Sequence, residues 1–528
     1  MDIIIFITAL ILTSLYSYKK SFYHLHMFQL NSYRIERYMK FIQANAKKIL
    51  NRYAIAFITA ILISSMFYTV IQEFQNIIVF SLWFVFIVIR LYYLYFKNER
   101  TKKALAFTMR VKRIVIVMIV LNIILVAIIA MTSLNLFGLT VLMLITPLIM
   151  LASNLILKPF EFYLKKYYYN DAKKILEDHK ELIVIGVTGS YGKTSTKFIL
   201  ETILSQQFTT LVTPHSYNTT LGVVLTVRGK LNRSTEVFIA EMGAKQKGDI
   251  KEICDLVKPK YGVVTAVGPQ HLETFGSLKN VINTKFELME AIADKGKGFV
   301  NGDSANIQVG MKRFSKVNYV SYGTNADNKV KIVDVNQTIH GSEFNVVTSR
   351  GKQFYQTKLL GMHNILNIAG AIAVAIELGM SYEKISMGVK ELKAVEHRLE
   401  LKRQDDYYIL DDAFNSNPTG ARFAIDVLSQ FDSGKKIIMT PGMIELGDMD
   451  AELHFEFGKQ IAEVCDIVIL IGQNKTKDIV KGLKSKDYDM SKVQVLKTVY
   501  DGFAYLRQIV TSGDVILIEN DLPDNFNE

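Results

Sequence analysis

The chain has 528 residues, half of them hydrophobic, with 62 Lys and Arg against 50 Asp and Glu. Its two cysteines, Cys254 and Cys465, leave no disulfide framework or zinc site and fit a reducing compartment. The basic excess is local: residues 1–166 hold 19 Lys and Arg against 5 Asp and Glu, and the remainder 43 against 45. That distribution points to membrane topology and away from nucleic acid as a partner.

Five apolar stretches come first, at about 3–17, 53–71, 77–96, 114–131 and 136–157. Most approach the ~20 residues that cross a hydrocarbon core. The first lacks a basic stretch before it and a small-residue cleavage site after it, so it reads as an uncleaved anchor. The 18–52 and 97–113 connections are rich in Lys and Arg, whereas 72–76 and 132–135 carry none. The positive-inside rule then predicts a multi-pass protein of the cell membrane, with residues 1–166 forming about five transmembrane helices. The N-terminus lies outside and everything after Leu157 is cytoplasmic. Arg90, near the cytoplasmic end of its span, is explained by snorkelling.

From about residue 181 the pattern changes. β-branched runs such as "LIVIGVTG", "EVFIAEMG", "YGVVTAVG", "YYILDDAF", "KKIIMTPG", "DIVILIG" and "DVILIEN" alternate with amphipathic segments. Such alternation predicts α/β domains with parallel sheets. The expected fold is thus an α-helical membrane region followed by α/β, with a central domain at 181–400 and a C-terminal one at 401–528.

"VTGSYGKTSTKFIL", residues 187–200, reads as a strand end, a glycine turn and a helix start. Gly189 and Gly192 let backbone N–H groups face a phosphate, Lys193 can reach the terminal phosphates, and the Thr194 hydroxyl can ligate Mg²⁺. The usual loop spacing would place glycine at Val187, so a plain turn with an exposed lysine is the alternative. Further polar residues follow strands: Glu241; His271; Asp411, Asp412, Asn415 and Asn417. Ligands of open α/β sheets bind at such strand ends. Asn364 and Asn367 share one helix face, and Arg398 lies near the domain junction. Each alone also fits an ordinary structural role.

Taken together, "GVTGSYGKTST", "EMGAKQKGDI", "VGPQHLETFGSLKNVINTKFEL", "GMHNILNIAGAIAVA", "DDAFNSNP" and "PGMIELGDMDAELH" resemble the Mur ligase family in content, order and spacing. These are ATP-dependent amide ligases of peptidoglycan precursor synthesis. The branch most resembled adds D-alanyl-D-alanine to UDP-MurNAc-tripeptide. The family has the short G-x-x-G-K-T loop, which accounts for Val187. The resemblance, over about residues 181–516, implies a P-loop central ATPase domain and a Rossmann-like C-terminal domain. It implies that Gly189, Ser190, Gly192, Lys193, Thr194 and Ser195 hold ATP phosphates. Thr194 and Glu241 would face one Mg²⁺ and His271 a second, with Lys285 at the family's lysine carbamate. Asn364, Asn367, Arg398 and Asp412 match adenine, ribose or phosphate positions. Asn415 and Asn417 match the segment near the incoming amine, and Asn218 a substrate-side position. The implied catalytic set is Lys193, Lys285, His271 and Arg398, acting through an acyl phosphate.

Two departures stand out. Apolar stretches and basic loops replace the family's soluble UDP-binding domain, and "VILIEN" ends where amine-adding relatives usually carry Lys-Gly-Ser. The expected partners are the lipid bilayer, a peptide-bearing cell-wall precursor that is lipid-linked or UDP-linked, and an amino acid or dipeptide. A related polymer pathway and a non-catalytic nucleotide-binding regulator are the alternatives.

Overall fold

The computed structural model describes residues 2–31, 33–44, 72–96, 104–131, 135–269, 272–414, 416–432, 434–444 and 446–520. The chain divides into two compact units, one running through Leu164 and the other beginning at Lys165.

The first unit is helical. Its described helices are Asp2–Leu30, Ile35–Ala44, Gln72–Phe96, Met109–Ala130 and the start of Asn135–Asp178. Met109–Ala130 and the apolar part of the last are long and apolar enough to cross a membrane. The predicted span at 53–71 lies outside the described residues. Several helix limits differ from the sequence reading. Lys19 and Lys20 lie inside Asp2–Leu30, which contains no glycine or proline to stop it. Residues 72–76, read as a connection, are helical. Thr108 caps Met109–Ala130 by accepting from the Val111 N–H, so Arg110, Lys112 and Arg113 belong to the helix and not to a loop. Arg113 pairs with Glu161 at 2.7 Å. The face carrying Ile116, Ile119, Val120, Ile123, Ile124 and Ile128 is uncovered.

The second unit holds two sheets. The larger comprises β1 (Ile183–Thr188), β2 (Thr210–Val212), β3 (Val237–Glu241), β4 (Tyr261–Val264), β5 (Lys297–Asn301), β6 (Asn318–Gly323), β7 (Val330–Thr338), β8 (Gly341–Thr348) and β9 (Gly351–Thr357). Their order is β2-β3-β1-β4-β5-β6-β7-β8-β9. Strands β1 to β7 pair in parallel, while β7, β8 and β9 form antiparallel hairpins. This corrects the expectation of parallel pairing throughout. Only residues 339–340 and 349–350 separate these last strands, too few for a crossover.

Side chains alternate along β1. Ile185 and Val187 pack with Ile199, Leu200 and Ile203 and with Ile365, Ile368 and Ile372 of the helix Met362–Glu377. Val184 faces the opposite layer, with Val223, Val227, Ile250 and Leu288.

The smaller sheet comprises β10 (Glu400–Gln404), β11 (Tyr407–Asp412), β12 (Lys436–Thr440), β13 (Ile467–Ile471), β14 (Val493–Leu496) and β15 (Val515–Glu519). The order is β10-β11-β15-β12-β13-β14, parallel except for the β10–β11 hairpin. Both cysteines are free and buried.

Candidate functional site

In the larger sheet β1 lies between β3 and β4; the chain leaves β1 toward β2 on one side and leaves β4 toward β5 on the other. Such a reversal opens a crevice at the carboxyl ends of the strands. The register sets Val187 beside Glu241 and Thr188 beside Val264. Three loops therefore meet there: residues 189–192, the segment after Glu241 and the segment after Val264.

Glycine is required in the first loop. Gly189 has φ +153, and an added Cβ would lie 2.1 Å from the Thr265 hydroxyl. Gly192 has φ +77 and precedes the helix Lys193–Leu204, against the Asn367 amide. The first N–H groups of that helix are thus open to an anion. Ser190 ties the loop down. Its hydroxyl donates to the Gly268 carbonyl and accepts from the Gly268 N–H, fastening the loop to the segment after β4. Lys193 folds back, donating to the carbonyls of Gly189 at 2.8 Å and Ser190 at 3.1 Å. Burial pulls its ammonium down to about 8, with Glu241 opposing and Arg398 adding to the fall.

Glu241 is fully buried at the end of β3. One carboxylate oxygen accepts from the Thr194 hydroxyl and the Asn218 amide, each at 3.1 Å. The other accepts from Lys197 at 3.1 Å. Lys197 also donates to the His215 carbonyl and is itself fully buried. It went unnoticed in the sequence, although it stands one helical turn after Lys193, where two lysines share a face.

Lys285 ends the helix Leu278–Lys285 and is buried. Burial holds its amine well below the usual lysine range, and the nearby Lys193 charge pulls the same way. Asp249 and Glu287 oppose this. His271 and Asn415 lie outside the described residues. Among the described residues, no group of three or more His, Cys, Asp or Glu side chains is placed to hold a metal ion.

A cavity of about 650 Å³ opens beside the loop, lined by Ser195, Phe198, Asn364, Lys393 and Arg398 among others. Asn364 and Asn367 are both buried on one helix, and Asn364 donates to the Leu360 carbonyl. Arg398 stacks over Phe414, its charge acting on Lys193 and Asp412. Asp412 accepts from the Leu399 N–H and sits beside Glu519 in the β11–β15 register. Burial holds both carboxyls above the usual range, while Arg398 draws Asp412 back. Ser416 donates to Glu519. Asn417 caps the helix Pro418–Ser429, its side-chain oxygen accepting from Gly420 at 2.8 Å.

A glycine loop leading into a helix at a sheet's switch point, beside a buried carboxylate, is the arrangement with which α/β proteins take up nucleotide phosphates. The model of the Mur ligase middle domain matches residues 187–375, and that of the Mur ligase glutamate ligase domain matches residues 397–519. The UDP-N-acetylmuramoyl-tripeptide–D-alanyl-D-alanine ligase of Bacillus subtilis is 30% identical over 64% of this chain and 72% of its own. The Escherichia coli enzyme of the same name is 30% identical over 55% and 64%. Among solved structures, MurF from Acinetobacter baumannii superposes with TM-score 0.61 at 25% identity, over 67% of this chain and 77% of that one. MurF from Thermotoga maritima, solved in complex with ADP, has the same fold, with TM-score 0.61 at 24% identity over 68% and 80%. The chain belongs to the Mur ligase family. Its reaction class is ATP-dependent peptide ligation, of the kind that builds peptidoglycan precursors.

Proposed function

We propose that this protein is a membrane-anchored ligase that joins a peptide carboxylate of a cell-wall precursor to the amine of an amino acid or dipeptide through an acyl phosphate. The observation that carries the reading is the convergence of the Gly189–Gly192 loop, Lys193, Thr194 and Glu241 at one end of β1 and β3. Lys193 and the N-terminus of its helix stabilise charge on the transferring phosphoryl group. Ser195, Asn364, Asn367, Arg398 and Asp412 bind the rest of the nucleotide. Attack by the peptide carboxylate on the γ-phosphate forms the acyl phosphate and releases ADP; attack by the amine then releases phosphate and leaves the amide.

Mg²⁺ fits the donor set, since the Thr194 hydroxyl and Glu241 carboxylate are hard oxygens 3.1 Å apart. Thr194 and Glu241 would hold one ion, with His271 and a carbamate on Lys285 serving a second. Bound there, the ions would neutralise phosphate charge. Burial favours the neutral Lys285 amine, which is the form that takes up carbon dioxide. Isotope-labelled bicarbonate should give a carbamate signal with the wild type and none with Lys285→Ala.

Membrane attachment is supported by the uncovered isoleucine face of Met109–Ala130 and the two helices able to cross a bilayer. We place the catalytic unit on the cytoplasmic side, where ATP is found. The relatives named above act on a UDP-linked tripeptide and D-alanyl-D-alanine. A lipid-linked peptide is the better acceptor on this reading, because anchoring raises its local concentration. Comparing kcat/KM for UDP-linked and lipid-linked forms of one peptide, with the full-length protein in lipid, tests it. Equal or better use of the UDP-linked form rejects the lipid preference. A second reading for the amine has its own support: Glu519 stands buried beside Asp412 at the end of β15, the strand after which amine-adding relatives usually carry Lys-Gly-Ser, and this departure favours an amine other than D-alanyl-D-alanine.

A further inference from the structure

Within the N-terminal unit, two cations converge on one phenol. Tyr16 is buried in the helix Asp2–Leu30, packed with Trp83 and Ile87 of the helix Gln72–Phe96. The Arg90 guanidinium donates to the Tyr16 hydroxyl at 3.4 Å. Lys20, one turn after Tyr16 and 9% exposed, holds its ammonium 5.5 Å from the centre of the same ring. Among the described residues neither cation meets a carboxylate, in contrast to Arg113, which pairs with Glu161. Arg90 therefore does more than snorkel. The surroundings are apolar, with Ile7, Ile11, Leu15, Val85, Val88 and Ile89 exposed on the same two helices. Two like charges held together in such a place repel, and charged residues kept within apolar helices mark ligand sites.

We propose that Tyr16, Lys20 and Arg90 form a binding site for a diphosphodiester group. Such a group carries two negative charges, which match the two cations, and its oxygens accept from all three donors. A phosphodiester of an ordinary phospholipid carries one. Two sources share this chemistry, a diphosphate-linked membrane lipid and a soluble nucleotide diphospho-sugar. The apolar side chains exposed elsewhere on these two helices suit contact with lipid chains and favour the lipid source. The inference deepens the proposed function, resting on its lipid-linked acceptor.

The test uses full-length protein in phosphatidylcholine vesicles containing either a polyprenyl diphospho-sugar or phosphatidylglycerol, with UDP-N-acetylglucosamine as the soluble arm. Lipid retained on the purified protein is quantified by native mass spectrometry, and soluble ligand by calorimetry. The polyprenyl diphospho-sugar should be retained, and Lys20→Gln and Arg90→Gln should each lower its affinity about tenfold or more. Binding of UDP-N-acetylglucosamine that is lost in both variants would support the site and assign the soluble source. Equal retention of phosphatidylglycerol, no binding of either diphosphate, or unchanged binding in both variants would overturn the proposal. Melting curves and ATP binding identify a misfolded variant, and Tyr16→Phe, which removes one oxygen, should still weaken binding measurably. Ligation by the wild-type protein in the same vesicles tests the ligase reading separately.

Discussion

Lys193 and Lys197 show how one helix uses the same side chain in two ways. Lys193 donates to the loop carbonyls, and on the proposed function it would leave them for phosphate. Its folded-state pKa is depressed to about 8, so its charge is present below that pH and lost as pH rises through it. Between about 8 and the usual lysine range the unfolded chain holds the proton more tightly, so this group's contribution to stability rises with pH while the charge available to ATP falls. A pH profile should therefore show kcat/KM for ATP falling above about pH 8, and Lys193→Ala should lower kcat by ~10²–10³ or more. Lys197 has no freedom of this kind. It is sealed against Glu241, and replacing it with methionine leaves that carboxylate buried and unpaired, a loss of roughly 3–5 kcal/mol in denaturant unfolding. The placement of Lys193, Thr194 and Glu241 was legible because each sits at a strand end or just after a glycine turn. Lys197 was not, because its partner is 44 residues away and a lysine on an amphipathic helix ordinarily points to water.

At the scale of elements, the site depends on how tightly the phosphate loop is fastened to its neighbours. Gly189→Ala would drive a methyl group into Thr265, whose hydroxyl holds the Tyr191 carbonyl. ATP affinity should fall by an order of magnitude or more in titration calorimetry, with the rest of the fold intact. Asn417→Ala removes a helix cap, which costs about 1 kcal/mol. If Asn417 serves only as a cap, Asn417→Asp restores both melting temperature and turnover; an amine-contacting role predicts restored stability with impaired KM for the amine. The β-branched runs of the parallel strands were plain in the sequence. The β7–β9 hairpins were less so, because their half-exposed strands mix polar with apolar residues and their turns are short. Helix limits in the N-terminal unit were the least legible. Basic residues were read as loop, yet Arg113 stays helical by pairing with Glu161.

For the whole molecule, a catalytic unit of known family is joined in one chain to a helical unit that lies outside the residues matched by the Mur ligase models. The apolar helices predict that the protein is extracted from membranes by detergent and not by high salt or alkali, as judged by fractionation. A reporter after Leu157 should be active only in its cytoplasmic form, and one at residues 72–76 only outside. The apolar runs were legible in the sequence, because length and hydropathy suffice to find them, but the proposed anion site was not, because it joins Tyr16 to Arg90 from helices far apart in sequence. The central claim is amide formation driven by ATP. Full-length protein in lipid should be supplied with ATP, Mg²⁺, a peptide-bearing cell-wall precursor and D-alanyl-D-alanine or another candidate amine, and the products followed by mass spectrometry and phosphate release. The prediction is an amide product formed one-for-one with phosphate and abolished in Lys193→Ala; phosphate release without any amide, or no ATP turnover across lipid-linked and UDP-linked acceptors, would contradict it.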